Sequence, residues 1–113
     1  MMSKKERLQK LDENLNEIAS VAPDTMKNFK IFKESVLKEG VLTSKEKILA
    51  ALGIVISKQC HDCILNWVQT AVEEGITFEE LVEVCGVTML LNGGPGAAYS
   101  SLAVETYKEL TEG

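Results

Sequence analysis

Residues 43–75 read TSKEKILAALGIVISKQCHDCILNWVQTAVEEG, and this stretch decides the fold. Thr43–Glu46 is a capping box, in which a hydroxyl residue is followed three residues later by Glu, and such a box begins a helix. The run Ile48–Ile56 is apolar on nearly all sides of a helix and predicts deep burial. A second amphipathic run begins near Cys60 and ends at Gly75, which is a typical C-terminal cap. The stretch therefore predicts two consecutive helices.

Two amphipathic helices precede this stretch. Apolar residues recur at three- and four-residue steps between Lys4 and Ala19, which predicts a helix whose narrow apolar stripe suits packing against another helix or subunit. A second helix should begin with Asp24 as its N-cap and end at Gly40.

Two further helices follow it. A second capping box, Thr77–Glu80, predicts the start of a fifth helix. Three glycines and a proline within Asn92–Gly96 should break that helix, and Ala97–Leu110 resumes a helical pattern. No segment has the composition and alternation of a strand together with a partner strand.

The composition suggests a small domain that assembles with copies of itself. A chain of 113 residues buries roughly 65% of the surface that its unfolded form exposes. Its 45% of hydrophobic residues is more than so small a domain hides easily. We therefore predict an all-α, oligomeric bundle of about six helices, a single domain over residues 1–113. Its N-terminal amphipathic helices lie within 4–38 and its core within 42–110.

The charge pattern excludes several kinds of partner. The formal net charge is −5 and the basic residues are scattered, whereas phosphate binding needs clustered Lys and Arg, so we expect no nucleic acid. No apolar run approaches the ~20 residues that span a bilayer, and the N-terminus begins an amphipathic helix rather than a signal peptide. We expect no membrane partner and a cytoplasmic location. There, a close cysteine pair is more typical of catalysis, redox sensing or metal binding than of a permanent disulfide.

Cys60 and Cys63 are the candidate catalytic residues. They lie one turn apart at the start of a predicted helix, where unpaired N–H groups and the helix dipole favour a thiolate, which is the reactive form. Their side chains share a helix face and can close a disulfide. The alternative is that both are small, half-buried core residues.

His61 is the third candidate, because a protonated imidazole could stabilise a neighbouring thiolate; the alternative is a surface histidine. Zinc would need a second ligand pair, but the only other cysteine is Cys85 and the only histidine is His61, so we expect no metal and no cofactor. Cys85 lies in an apolar stretch and should be a buried small hydrophobe. Gly93–Gly96 could cradle an anion, but no Lys-Ser or Lys-Thr follows, so a tight break between two packed helices is the favoured interpretation.

Four segments in this order resemble the carboxymuconolactone decarboxylase and alkylhydroperoxidase D-like family: LTSKE at 42–46, CHDC at 60–63, AVEEGIT at 71–77 and GGPGAAY at 93–99. The resemblance covers about 42–110. It implies an all-α fold that assembles into a homotrimer or homohexamer. In the redox-active branch it implies that Cys63 attacks a peroxide and Cys60 resolves the product. The implied partners are a peroxide or small organic substrate and a thiol protein or small thiol as reductant.

The chain departs from that family's peroxidase motif at two positions. The motif has a His four residues after its second Cys, where this chain has Trp67, and an indole cannot relay protons. The motif's Glu, twelve residues before the first Cys, corresponds to Ile48, whereas Glu46 lies about 200° around the helix. General acids and bases typically contribute about 10²- to 10⁴-fold in rate. The resemblance therefore implies a slow peroxidase or another task for the dithiol.

Three hypotheses follow from the sequence. The first is a thiol–disulfide oxidoreductase and weak antioxidant peroxidase that uses Cys60, Cys63 and His61. The second is a non-catalytic oligomeric member of the family. The third is a decarboxylase acting on a small organic acid, which would need a cationic pocket built from a residue such as Lys45, Lys47 or Lys58.

Overall fold

The computed structural model describes residues 1–112, and six α-helices make up its secondary structure. They are α1 (Lys4–Val21), α2 (Pro23–Leu37), α3 (Ser44–Ser57), α4 (His61–Glu73), α5 (Phe78–Asn92) and α6 (Gly94–Glu112). No strand occurs within residues 1–112, so the prediction of an all-α fold with about six helices is confirmed. Backbone contacts divide the chain into two compact units, one of residues 1–44 and one that begins at Lys45. None of the six helices is long and apolar enough to cross a membrane.

The first unit is a pair of packed helices, α1 and α2. The start of α1 is a capping box: the Ser3 hydroxyl accepts the Glu6 N–H at 3.1 Å, and the Glu6 carboxylate accepts the Ser3 N–H at 2.9 Å. This reciprocal pairing satisfies two of the N–H groups that a helix start leaves without partners.

The predicted bounds of α2 were wrong at both ends. Ala22 is the N-cap and Pro23 is the first helical residue, so Asp24 lies in the first turn instead of capping it. Proline suits that position, because its fixed φ is helical and its missing N–H would have had no partner. The helix ends at Leu37, before the predicted stop at Gly40.

The core of the second unit comes from one face of each of its helices. The side chains below 2% exposure include Leu52, Ile56, Ile64, Leu65, Val68 and Leu81. The predicted deep burial of the run Ile48–Ile56 holds for Ile48, Leu52, Val55 and Ile56. It fails at Ile54, which is 57% exposed although it lies between buried residues of the same helix. A helix that packs on one side leaves the other side in water whatever its composition.

The glycine-rich break brings α5 and α6 together. Gly93 adopts a φ of +62°, and α6 begins at once at Gly94, three residues before the predicted start at Ala97. Gly96 is buried, and a Cβ built there would lie 2.8 Å from the carbonyl oxygen of Thr88. The predicted tight break between two closely packed helices is therefore confirmed.

One carboxylate links the starts of α3 and α5. Glu80 accepts the Thr77 N–H at 2.9 Å, which completes the predicted capping box, and it pairs with the Lys45 ammonium at 2.6 Å. The hydrogen bond from Lys45, followed by the one from the Thr77 backbone, lowers the pKa of Glu80.

Candidate functional site

The turn between α3 and α4 positions the first cysteine. Gln59 adopts a left-handed φ of +57°, its N–H donates to the Ile56 carbonyl at 3.1 Å, and the Cys60 N–H donates to the Val55 carbonyl at 3.4 Å. These two bonds form a Schellman motif, which usually has glycine at the left-handed position. The motif attaches Cys60 directly to the end of a helix that is anchored in the core.

Cys60 is also the N-cap of α4. Its sulfur accepts the backbone N–H of Cys63 at 3.3 Å, and its carbonyl accepts the N–H of Ile64 at 2.9 Å. The prediction that the cysteine pair lies at the start of the fourth helix is confirmed. The Cys60 sulfur thus takes the place that a Ser or Asp oxygen usually occupies at a helix start.

The two cysteines are joined. The Sγ atoms of Cys60 and Cys63 form a disulfide across a Cα–Cα distance of 5.2 Å, and both residues are half-buried. That separation lies within the ~4.4–6.8 Å range of disulfides. The first turn of α4 therefore accommodates the oxidised pair in its helical geometry.

His61, the third candidate, is the first residue of α4 and its side chain is 59% exposed. Its Nδ1 lies 3.2 Å from Oδ1 of Asp62. The imidazole is thus next to the cysteine pair in sequence and is oriented by a carboxylate at the surface.

Apolar side chains occupy the two positions where the peroxidase motif has its proton-relay groups. Ile48 is 4% exposed in α3, and Trp67 is half-buried on α4, one turn beyond Cys63. Glu46 lies in the first turn of α3 and is exposed. Neither relay position therefore carries an acid or a base.

Cys85 is a buried residue of α5, as predicted. It is 2% exposed, and burial raises the pKa of its thiol, an effect that the nearby Ser100 hydroxyl partly offsets. A raised pKa keeps the sulfur protonated, and a protonated thiol is a poor nucleophile.

The structure also shows a feature that the sequence interpretation missed, an apolar groove of about 480 Å³ between α3 and α5. Its lining includes Lys58, one of three lysines considered above for a cationic pocket, whereas Lys45 is paired with Glu80. The signal in the sequence was the excess of apolar residues on all sides of α3, which we interpreted as complete burial.

Comparison with known proteins shows relatives along most of the chain. The sequence model of the carboxymuconolactone decarboxylase family matches residues 23–106. A carboxymuconolactone decarboxylase family protein from Legionella pneumophila has a structure that covers 91% of this chain and 92% of its own, with a TM-score of 0.87 and 31% identity. Another from Thermotoga maritima, "possibly involved in antioxidative response", covers 94% of this chain and 91% of its own, with a TM-score of 0.79 and 27% identity.

An uncharacterized protein of Cupriavidus necator is 29% identical over 106 residues, which is 94% of each chain. The matched residues 23–106 take in parts of both compact units and include the cysteine pair. The chain therefore belongs to the carboxymuconolactone decarboxylase family.

Proposed function

We propose that this protein is a thiol–disulfide oxidoreductase whose Cys60 and Cys63 cycle between dithiol and disulfide. The observation that carries the proposal is the position of Cys60 as N-cap of α4, where its sulfur accepts the N–H of Cys63. In the reduced protein the same N–H groups and the helix dipole would stabilise a thiolate. The suggested antioxidative role of the Thermotoga relative is consistent with such chemistry.

The cycle balances as two two-electron steps. With a hydroperoxide, Cys63 takes the attacking role that the family resemblance implies. Its thiolate attacks the terminal oxygen, the O–O bond breaks, and the alcohol leaves with a proton from solvent. The Cys60 thiolate then attacks the sulfur of the Cys63 sulfenic acid, and the hydroxide leaves as water with a second proton from solvent while the disulfide forms. A thiol reductant attacks the protein disulfide and forms a mixed disulfide with one cysteine. A second reductant thiol resolves it, so that the protein returns to the dithiol and the two reductant thiols leave as one disulfide.

Exchange with a partner disulfide should be faster than peroxide reduction. Cleavage of a peroxide O–O bond produces an alkoxide that needs a proton, and the relay positions hold Trp67 and Ile48. A thiolate leaving group needs no such proton at neutral pH. His61, exposed and adjacent to Cys60, is the residue we assign to proton exchange with solvent, so Cys60, Cys63 and His61 form the proposed catalytic set.

We further propose that the protein works as a homotrimer or homohexamer in the cytoplasm, with a small thiol or a thiol protein as reductant. Large apolar side chains of α2 that are more than half exposed support self-assembly: Phe29, Ile31 and Phe32. Burial of apolar surface is the main driving force for association. A cytoplasmic thiol pool would supply the electrons that return the disulfide to the dithiol.

A second candidate is a non-catalytic oligomeric protein of the same fold. The observation that favours it is the burial of Ile48 at 4% exposure in the place of the motif's Glu. A buried isoleucine at this position contributes to the hydrophobic core and cannot transfer a proton, as expected of a non-catalytic protein.

Equilibration in glutathione redox buffers distinguishes the two candidates. We expect a single two-electron transition between dithiol and disulfide at Cys60 and Cys63, measured by acid quench, alkylation and mass spectrometry. Cys60→Ser and Cys63→Ser, each with one remaining thiol, should form only a mixed disulfide with glutathione. A pair that never changes state across buffers from fully reduced to fully oxidised would leave the non-catalytic candidate.

A further inference from the structure

The groove between α3 and α5 is apolar along its walls and has a single charged residue in its lining. Its walls include Leu49, Ile54, Val84, Val87 and Leu91, and Lys58 is the charged residue. Ile54, Val87 and Leu91 are 57%, 58% and 75% exposed, so the groove is open to solvent. Its volume of about 480 Å³ lies in the ~300–1,000 Å³ range of small-molecule sites.

Two neutral polar groups of the lining, the Thr88 hydroxyl and the Ser57 carbonyl, have hydrogen-bond partners. The Thr88 hydroxyl donates to the Val84 carbonyl at 3.1 Å, and the Asn92 amide donates to the Ser57 carbonyl at 3.4 Å. Lys58 forms no ion pair with any residue in 1–112. The ammonium group of Lys58 is therefore the cation that the lining offers to a ligand.

We propose that this groove binds an aliphatic carboxylate, with the hydrocarbon chain along the apolar walls and the carboxylate on Lys58. An apolar ligand without a charge would leave the ammonium unused. An anion without a chain would gain little from walls in which most lining residues are apolar. In a chain of net charge −5, a cation beside an apolar surface is a site where an anion gains rather than loses electrostatic energy.

Space within the groove depends on two small residues of α3. Gly53 and Ala50 belong to the lining, and a Cβ built on Gly53 would lie 3.6 Å from Cγ1 of Val84. That is ordinary van der Waals contact, so a large side chain at these positions would occupy the groove before it disturbed the helix. The site is separate from the redox proposal, because none of its residues is a cysteine.

Titration calorimetry with decanoate, hexanoate and decanol, at concentrations where each is monomeric, tests the site. Decanoate should bind saturably, and affinity should fall about fourfold for each methylene removed. Lys58→Met should weaken decanoate on the order of tenfold and leave decanol unchanged. Lys27→Met removes an equal charge from an exposed position on α2 and should leave the affinities for decanoate and decanol unchanged. Ala50→Trp should abolish binding of both ten-carbon ligands while circular dichroism stays native.

Three results would overturn the proposal. The first is that decanoate shows no saturable binding. The second is that Lys58→Met loses affinity for decanoate and for decanol equally. The third is that sedimentation shows a second copy of the chain covering the groove, so that decanoate is excluded. Lys58 also sits at the carboxyl end of α3, where a cation stabilises the helix dipole. That structural role alone predicts a lower melting temperature in Lys58→Met with no change in ligand affinity. The Cys60→Ser/Cys63→Ser double variant should bind decanoate normally, so failure of the redox proposal would leave this one intact.

Discussion

The backbone N–H of Cys60 donates to the carbonyl of Val55 at 3.4 Å, which connects the first cysteine of the pair to a core residue that is 8% exposed. The chain makes this connection through Gln59 at a φ of +57°. The position of the cysteine pair therefore depends on a left-handed residue that is not glycine.

Replacing Gln59 with glycine should stabilise the protein. A non-glycine residue in the left-handed region costs about 1–2 kcal/mol. Glycine has more conformational entropy in the unfolded chain, which opposes folding by about 0.5–1 kcal/mol. We therefore expect the free energy of unfolding to rise by up to about 1 kcal/mol. Urea unfolding measures it. Gln69→Gly is the matched control: it lies within α4, where glycine should destabilise by about 1 kcal/mol. Equal effects of the two substitutions would contradict the left-handed assignment.

Gly96→Ala should destabilise the protein by about 1–3 kcal/mol. The added Cβ would lie 2.8 Å from the Thr88 carbonyl oxygen and 3.2 Å from the Cβ of Asn92, so α5 and α6 must move apart. In Gly86→Ala the new Cβ meets nothing within 4 Å, and we expect a gain of about 0.5–1 kcal/mol. Thermal and denaturant unfolding of both variants test the packing; a stable Gly96→Ala would show that the two helices are not in close contact there.

Local signals in the sequence predicted most helix starts and stops, because their causes are local. The Thr77–Glu80 capping box begins α5, and Gly75, at a φ of +78°, follows α4. Where a signal was weak or ambiguous the prediction failed: Asp24 resembles an N-cap, but Pro23 moves the cap to Ala22.

Long-range features could not be predicted from the sequence. The partner of Glu80 is Lys45, thirty-five residues away, and nothing local indicates it. The exposed side of α3 at Ile54 depends on which helices pack against α3, since composition alone cannot separate a buried face from an apolar face that is open to solvent. The cysteine pair was the easier case, because a helix start is a local feature. The left-handed turn at Gln59 was missed, because glycine is its usual signal.

The ion pair between Glu80 and Lys45 should appear in the pH dependence of stability. The pKa of Glu80 is lowered, so its stabilising effect is complete above the ordinary value and is lost as pH falls through the lowered pKa. Glu80→Gln, which keeps the capping geometry, should be less stable than wild type at pH 7 and equal to it in acid. Glu83→Gln, exposed on the same helix, should show no such convergence. A constant difference at all pH values would refute the charge effect.

Trp67→His restores an imidazole at the relay position. We expect peroxide turnover to rise at least about tenfold, below the ~10²–10⁴ of a complete acid–base group because Ile48 still replaces the Glu. Stopped-flow reduction of cumene hydroperoxide measures the rate. Trp67→Phe removes the indole without adding a base and should leave the rate unchanged. If the rate of peroxide reduction rises equally in both variants, the indole slows the reaction by blocking access of the peroxide to the cysteines, and the relay argument is wrong.

Time-resolved alkylation with mass spectrometry shows whether Cys60 and Cys63 cycle as a redox pair. Reduced protein is exposed to oxidised glutathione or cumene hydroperoxide, quenched, alkylated and digested, with buried Cys85 as the internal unreactive thiol. We expect a Cys60–Cys63 disulfide that forms faster with glutathione disulfide than with peroxide, and a trapped sulfenic acid at Cys63 in Cys60→Ser. Thiols at positions 60 and 63 that react no faster than free cysteine would contradict it.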